Sequence, residues 1–327
     1  MNPPALAGYE AALTRAAFIH QQNAGYLRIR GADRRTFLQR QSTNDLNLLA
    51  PDRLLATVLT SPSARILDVF MLYEEGPDTV AALSLPGQAA RTFQYLKSRI
   101  FFMDKVTLED ASAAFAQFDL IGPQAPSVLQ GLGLTQVLVE NQLLQTALAG
   151  IPVTLFQLDG FGYRLVSDSG DVAGVLSALA GAGVEQLSDE SYEVLRVEAG
   201  LPAANAELTE DYTPLETGLD RAVSDSKGCY TGQEVIARQL TYDKVTQRLV
   251  GLRLSTPASP GERLLSSSEG RSAGKVTSAV TSPRFGPIAL GVVRRPYDVP
   301  GTRLALSSNP GAPEATVTPL PFSSTNS

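Results

Sequence analysis

The chain has 327 residues, of which 43% are hydrophobic and 18% charged, a composition typical of globular proteins and not of disordered ones. Its length predicts two or three domains with cores of their own. A net charge of −6 argues against nucleic acid as a partner, because phosphate contacts need a basic face. The nearest candidates for a local basic groove are Lys227, Arg238, Lys244, Arg248 and Arg253.

The N-terminal segment from Met1 to Leu13 has neither a basic cluster nor an apolar run, so it predicts neither a secretory signal nor a transit peptide. No stretch approaches the roughly 18 consecutive apolar residues that cross a bilayer. We therefore expect a cytoplasmic protein without a membrane partner. A single cysteine cannot form an intramolecular disulfide, which is consistent with a reducing compartment.

Cys229 and His20 are the only cysteine and the only histidine. Soft ligands are therefore too few for a four-thiolate iron–sulfur cluster or a closed zinc site. No metal site is predicted, and any role in iron–sulfur chemistry would need a partner protein. A Cys-His catalytic pair would form only if His20, which the pattern places on a first helix, folded back beside Cys229.

The first part of the chain alternates between helical and strand patterns. Residues 4–20 have the spacing of an amphipathic helix and 26–30 that of a short strand, after which Asp33 stands at the N-cap position of a helix over 34–44. Strands are predicted at 54–59, 65–73 and 79–85, and a helix follows Pro86 and Gly87. Beyond residue 110, strands are predicted at 115–121, 153–156 and 162–166, and helices at 125–132, 171–182 and 189–199. This irregular mixture favours an α+β fold with ferredoxin-like layers.

After about residue 245, helical periodicity disappears. Short strands such as 249–254 and 288–294 alternate with turns rich in Gly, Pro and Ser, which is typical of a small β-barrel. We therefore expect a body of two interleaved α+β subdomains over 1–244, a C-terminal β-barrel over 245–322, and a frayed tail at 323–327.

The most unusual segment is KGCYTGQE at residues 227–234, where a cysteine stands between two glycines just ahead of a predicted helix over 233–240. Glycines let the backbone turn tightly, and free amides at a helix start together with the charge of Lys227 favour a thiolate. This pattern predicts a reactive sulfur at Cys229. A lone intracellular cysteine is also commonly a small buried hydrophobic residue, so both interpretations stay open.

Several segments together resemble a known family. The run KGCYTGQE is similar to the KGCYxGQE signature of YgfZ proteins, and LRVEAGLP at 195–202 resembles the LRLEAG segment of the glycine-cleavage T-protein superfamily. The run 213–219 resembles the P-x-E-x-G-L element of that superfamily, and 31–45 resembles its N-terminal folate-domain block. From these motifs the chain is identified as a member of the YgfZ branch of the T-protein superfamily.

The resemblance implies a T-protein-like folate-binding body that is closed by the C-terminal barrel. It implies tetrahydrofolate or a derivative as cofactor, and iron–sulfur client enzymes or assembly factors as partners. Glu198 matches the family glutamate that binds the pterin, and an ionised carboxylate can accept two adjacent N–H donors. The alternative is that Glu198 faces solvent near a helix end, because Gly200 and Pro202 mark a stop. The motif residues that the resemblance carries over are Cys229 and Lys227 as reacting groups, with Gly228, Tyr230, Gly232, Gln233 and Glu234.

Asp68 occupies the position of a carboxylate that transferase members link to aminomethyl transfer, and it is assigned to cofactor binding on that basis. The pattern departs from theirs, because Val69 replaces a second aspartate and Ala64-Arg65 replaces two glycines. Asp68 could therefore do no more than close a strand-end hydrogen bond. Three functions stay open: an accessory factor for iron–sulfur enzymes, a folate-dependent aminomethyltransferase, and a folate-binding module whose cysteine has no covalent role.

Overall fold

The computed structural model describes residues 6–136, 138–158, 160–267, 270–306 and 313–323, so positions 324–327 of the predicted tail lie outside the described residues. The helices are α1 (Tyr9–Thr14), α2 (Arg34–Gln41), α3 (Ala89–Lys97), α4 (Ala125–Gly131), α5 (Val172–Gly181), α6 (Asp189–Glu198) and α7 (Gln233–Thr241). The strands up to residue 190 are β1 (Ala17–His20), β2 (Gly25–Arg30), β3 (Leu55–Thr60), β4 (Ile66–Gly76), β5 (Thr79–Ser84), β6 (Thr107–Asp110), β7 (Phe115–Ile121), β8 (Leu143–Leu148), β9 (Ile151–Leu158), β10 (Gly162–Asp168) and β11 (Glu185–Gln186). The later strands are β12 (Gln247–Leu254), β13 (Arg263–Ser266), β14 (Ser272–Ser282), β15 (Gly286–Arg294), β16 (Arg303–Ala305) and β17 (Glu314–Thr318).

The chain divides into two compact units, and each is assembled from three separate segments. The first unit comprises the chain up to Thr60 together with Asp68–Tyr192 and Ala222–Thr231. The second comprises Ser61–Leu67, Glu193–Arg221 and the chain from Gly232 onward. Both units therefore depend on pairings between residues that are distant in sequence.

The first unit contains two sheets, with strand orders β11-β1-β7-β10-β9-β8 and β3-β4-β5-β2-β6. On the six-stranded sheet, α4 and α5 pack with Leu129 and Leu179 against a core that includes Phe118 and Leu165. A second core contains Tyr26 of β2 together with residues of β9 and β10, so the two sheets share buried apolar area. Burial of this kind is the main favourable term in folding.

The second unit is built around a closed barrel with strand order β12-β15-β14-β13-β16-β17. Its interior is filled by branched side chains such as Leu252, Val276 and Val293. The last turn of α6 packs on the barrel, where Val197 joins Ile288 in a small cluster. The predicted fold class, an α+β body with a C-terminal β-barrel, is confirmed.

The prediction of one helix over residues 4–20 is wrong. Of the described residues in that range, only Tyr9–Thr14 are helical, and Ala17–His20 form β1. This strand is inserted between β7, with which it is antiparallel, and β11, with which it is parallel. Two neighbouring strands therefore outweigh the local helical spacing. His20 consequently lies on a strand, stacked on Phe118 at 4.6 Å between ring centroids, and not on a helix.

Among the described residues, every helix is too short or too polar to span a membrane. Within the same residues, no group of three His, Cys, Asp or Glu side chains is arranged to hold a metal ion.

Candidate functional site

Lys227 fixes the start of the cysteine motif to the end of α2. Its ammonium donates to the carbonyl oxygens of Gln39, Ser42 and Asn44 at 2.8, 2.7 and 2.6 Å. The side chain is buried, and burial lowers its pKa to about 8 while Asp45 opposes that shift. A cation near a helix C-terminus satisfies carbonyls that have no donor within the helix. Lys227 is therefore not part of an exposed basic groove, and its contacts favour a positioning role.

The other end of the motif is also anchored in the first unit. Tyr230 is buried, with its ring centroid 5.0 Å from the Lys227 ammonium nitrogen, and burial raises its pKa to about 12. Thr231 N donates to the Arg40 carbonyl at 3.1 Å, and the Thr231 carbonyl accepts from Thr60 Oγ1 at 2.6 Å. Cys229 lies between these anchors and is exposed. The interpretation of Cys229 as a buried packing residue is therefore wrong.

The two glycines of the motif have different surroundings. Gly232 has a φ of 88° and directly precedes α7, a conformation that a residue with a Cβ adopts only at a cost. Gly228 has no such constraint, and a Cβ at that position would meet open space. Gln233 and Glu234 form the start of α7, where Glu234 pairs with Arg238 across one turn at 2.9 Å. The predicted turn therefore depends on Gly232 alone.

Glu198 occupies a second candidate site, in the second unit. It lies at the end of α6 and is only 4% exposed, so the alternative that it faces solvent is wrong. The predicted helix stop is confirmed, because Gly200 has a φ of 74° and its amide and that of Leu201 bond back to the carbonyls of Val197 and Arg196. These two bonds form the Schellman motif that ends many helices.

The carboxylate of Glu198 faces the tight β14–β15 hairpin. Ser282 Oγ donates to Glu198 Oε1 at 2.5 Å and accepts from the amides of Arg284 and Phe285. The second oxygen, Oε2, lies 3.5 Å from Arg284 Nε, and the Arg284 side chain is 43% exposed. Phe285 and Phe322 supply apolar surface in the same cluster. This group therefore combines a buried acceptor, aromatic surface and a cation that can move into solvent.

Asp68 lies in the first unit and is fully buried. Its Oδ1 accepts from the amides of Val69 and Leu85 at 2.8 and 3.0 Å, and its Oδ2 accepts from Thr92 Oγ1 at 2.6 Å. Burial raises the pKa of Asp68 to about 6, and these hydrogen bonds together with Arg91 oppose the shift. None of these donors belongs to the cysteine motif. The contacts of Asp68 favour the strand-end interpretation, and its assignment to cofactor binding stays a prediction.

One buried polar cluster was not predicted from the sequence. Asp119 accepts from Arg164 Nε and Nη2 at 2.7 and 2.9 Å, from Gln21 Nε2 at 2.6 Å and from Tyr192 Oη at 3.0 Å. A carboxylate inside the mainly apolar run of β7 is the signal that could have revealed it, because buried charges are paired. These contacts join Gln21, which directly follows β1, to β7, β10 and α6, so they favour a structural role for the cluster.

The comparisons with known proteins match both parts of the chain. Residues 2–227 match the model of the GCVT N-terminal domain, and residues 247–323 match that of the glycine cleavage T-protein C-terminal barrel domain. The chain belongs to the glycine cleavage T-protein family. The signature residues Lys227 and Gly232 lie at or just beyond the end of the first match.

The relatives carry different names. A chloroplastic candidate transferase of Arabidopsis thaliana is 30% identical over 83% of this chain, which spans 63% of the length of that relative. An aminomethyltransferase of Geobacillus kaustophilus is 27% identical over 96% of this chain and 89% of its own. The crystal structure of aminomethyltransferase T from Bartonella henselae superimposes with a TM-score of 0.85, at 24% identity, over 96% of this chain and 88% of its own. That structure shows that the chain has the T-protein fold.

Proposed function

We propose that this protein binds a reduced folate and uses Cys229 in the assembly or repair of iron–sulfur enzymes, as the YgfZ branch of the family is expected to do. The observation that carries the proposal is the exposed Cys229 between two anchored ends of its loop. Hydrogen bonds fix both ends of this loop, which a residue with only a packing role would not require. Such anchoring is an effective way to present a sulfur atom to another molecule.

Tetrahydrofolate fits the chemistry of the groups around Glu198. A carboxylate is an acceptor-only group, and the pterin edge offers adjacent N–H donors. Phe285 would stack on a flat ring in place of the Arg284 guanidinium, which lies 4.6 Å from its ring centroid. Arg284 can leave Glu198 for solvent because its side chain is 43% exposed. When bound, the folate would supply a one-carbon unit or a redox-active pterin. The residues of this chain would orient the ring and keep water away from it.

The decisive experiment is complementation of cells that lack the protein, with iron–sulfur enzyme activity as the readout. We expect Cys229→Ser to fail, while its thermal stability stays within about 1 kcal/mol of the original because the site is exposed. Ser63→Ala, at an exposed hydroxyl outside the motif, is the matched control and should restore activity. Full rescue by Cys229→Ser would leave the cysteine without a covalent role and favour a simple folate-binding module.

The cysteine also allows a test that needs no client enzyme. Cys229 should react with a thiol probe in the native protein at least as fast as in the unfolded chain, because an exposed thiol needs no unfolding to meet the probe. Because Lys227 positions the loop, Lys227→Met should change this rate by altering the loop, with Lys244→Met as control. An unreactive native thiol would contradict the proposal.

A second function is supported by a specific observation, namely the match to aminomethyltransferases over 96% of the chain. Against it, Asp68 is fully buried and committed to three donors, and a second aspartate is replaced by Val69. An assay with the purified protein, tetrahydrofolate and a lipoyl carrier protein that is loaded with an aminomethyl group separates the two functions, because that group supplies both the ammonia and the carbon that passes to the folate. Release of ammonia that depends on both additions would establish the transferase and displace the first proposal.

A further inference from the structure

Three consecutive apolar side chains lie exposed on the turn that follows α3. Phe101, Phe102 and Met103 are 65%, 99% and 72% exposed, and we refer to them as the 101–103 turn. Scattered apolar residues are normal on protein surfaces, whereas a contiguous exposed group marks an interaction site more often. A nearly fully exposed phenylalanine at the centre is the kind of residue that anchors protein interfaces.

This turn is held in a defined conformation. Phe101 N donates to the Asp104 carboxylate at 2.9 Å, and Asp104 N donates back to the Phe101 carbonyl at 2.9 Å. Arg40 donates to both oxygens of the Asp104 carboxylate at 2.9 and 2.8 Å, and its guanidinium lies 5.9 Å from the ring centroid of Phe101. A preorganised apolar turn loses less conformational entropy on binding than a flexible one.

Arg40 connects the 101–103 turn to the cysteine loop. Its side chain holds Asp104, while its backbone carbonyl accepts from Thr231 N at 3.1 Å. All of these residues belong to the first unit. A partner that binds the apolar tip would therefore lie close to the loop that presents Cys229.

The rim of the turn is basic. Lys97, Arg99 and Lys105 are exposed, and none of them forms an ion pair with a carboxylate among the described residues. Lys97 and Arg99 lie over the rings of Phe93 and Tyr95, at 5.8 and 4.8 Å from their centroids. On a chain with a net charge of −6, this local excess of positive charge is complementary to an acidic surface.

We propose that the 101–103 turn and its basic rim form a docking surface for an acidic partner protein, which accepts Phe102 in an apolar pocket and is thereby brought to Cys229. The identification of that partner as an iron–sulfur enzyme or assembly factor rests on the function proposed above, whereas the surface does not. Three side chains and a rim cover much less than the ~1,600 Å² of a standard interface, so the complex is transient.

The test places the photo-crosslinker p-benzoylphenylalanine at position 102 in cells that lack the endogenous protein. We expect a light-dependent adduct with an acidic protein, reduced about fivefold or more by Lys97→Glu with Arg99→Glu. Arg263→Glu, at an exposed barrel position, is the control and should leave the adduct intact. An adduct with a second copy of this chain, an adduct that ignores charge reversal, or no adduct would overturn the proposal. So would sedimentation of the purified chain with phosphatidylglycerol vesicles that depends on Phe102.

A second readout separates this surface from the proposed function. Phe102→Ser should lower the rescue of iron–sulfur enzyme activity about tenfold, with the melting temperature and thiol-probe rate of Cys229 unchanged. Val139→Ser, at another exposed apolar position (60%) of the first unit, should rescue fully. Full rescue by Phe102→Ser beside failure of Cys229→Ser would overturn the docking surface and leave the function standing. If the unmodified chain fails to rescue but still gives an adduct that charge reversal reduces, the proposed function would be overturned and the docking surface would stand.

Discussion

Two carboxylates assigned to cofactor chemistry by resemblance, Asp68 and Glu198, are almost equally buried, at 0% and 4% exposure. Their partners differ. Asp68 accepts from two backbone amides and from a threonine on a packed helix, none of which can leave. Glu198 accepts from the Ser282 hydroxyl, and its other oxygen lies 3.5 Å from Nε of Arg284, whose side chain is 43% exposed. Burial alone therefore does not separate the two carboxylates, and the difference in their partners makes Glu198 the better candidate for ligand binding.

The largest effect on stability is expected from removing the carboxylate of Asp68, whose donors are all fixed parts of the fold. Asp68→Ala leaves the amides of Val69 and Leu85 and the hydroxyl of Thr92 buried without an acceptor. Because each unsatisfied buried donor costs roughly 1–3 kcal/mol, we expect the free energy of unfolding to fall by about 3–5 kcal/mol in urea titrations. Asp225→Ala, at an exposed position, is the control. A loss below about 1 kcal/mol would show that these donors find other partners.

The next effect concerns pH. The pKa of Asp68 is raised from 3.8 to about 6, so the folded protein retains a proton that the unfolded chain has released. That stabilising contribution is present in full below about pH 4 and is lost as the pH rises through about 6. Asp68→Asn keeps an acceptor for the amides and cannot ionise. The decrease in unfolding free energy from pH 4 to 7 should therefore be smaller in this variant, by up to about 3 kcal/mol.

Urea titrations at several pH values check this, with Asp225→Asn as the matched control. Superimposable pH profiles for Asp68→Asn and the unmodified protein would contradict the assigned shift. If Asp68 has no part in ligand binding, the Asp68→Asn variant should also bind folate with unchanged affinity.

Substitution of Glu198 should show the opposite pattern, with a larger effect on folate binding than on folding. Glu198→Gln keeps an oxygen for the Ser282 hydroxyl but presents N–H donors where the pterin also presents them. We expect folate affinity to fall about 30-fold, or about 2 kcal/mol, while stability changes by less than about 1 kcal/mol. Titration calorimetry measures the first, and Glu190→Gln, on the exposed side of the same helix, is the control. Unaltered affinity would remove Glu198 from the site.

The smallest effect is expected from the half-exposed Arg284 beside Glu198. If Arg284 must leave Glu198 before folate binds, Arg284→Ala should raise folate affinity, by less than about fivefold because a half-exposed ion pair is weak. Arg263→Ala is the control. A lowered affinity would show that Arg284 itself binds the ligand.

The sequence was sufficient for the fold where local pattern and burial agree. The strand at 115–121 and the helices at 125–131 and 233–241 lie within one residue of their predicted bounds. It failed at residues 17–20, where two neighbouring strands decide the conformation. The site was harder to predict, because contacts between distant residues determine it. Nothing local shows that Lys227 is buried against carbonyls about 185 residues earlier in the chain, or that Arg284 faces Glu198.

The anchoring of Lys227 also has a consequence for how the protein is made. The carbonyls at the end of α2 emerge from the ribosome early, but their donor follows 183 to 188 residues later. The first unit therefore cannot complete its folding as a vectorial, N-terminal domain, because its last segment, Ala222–Thr231, is synthesised after part of the second unit. Long-range closure of this kind slows folding and prolongs the exposure of apolar surface. A nascent chain that stops short of residue 227 leaves this helix end open to chaperones.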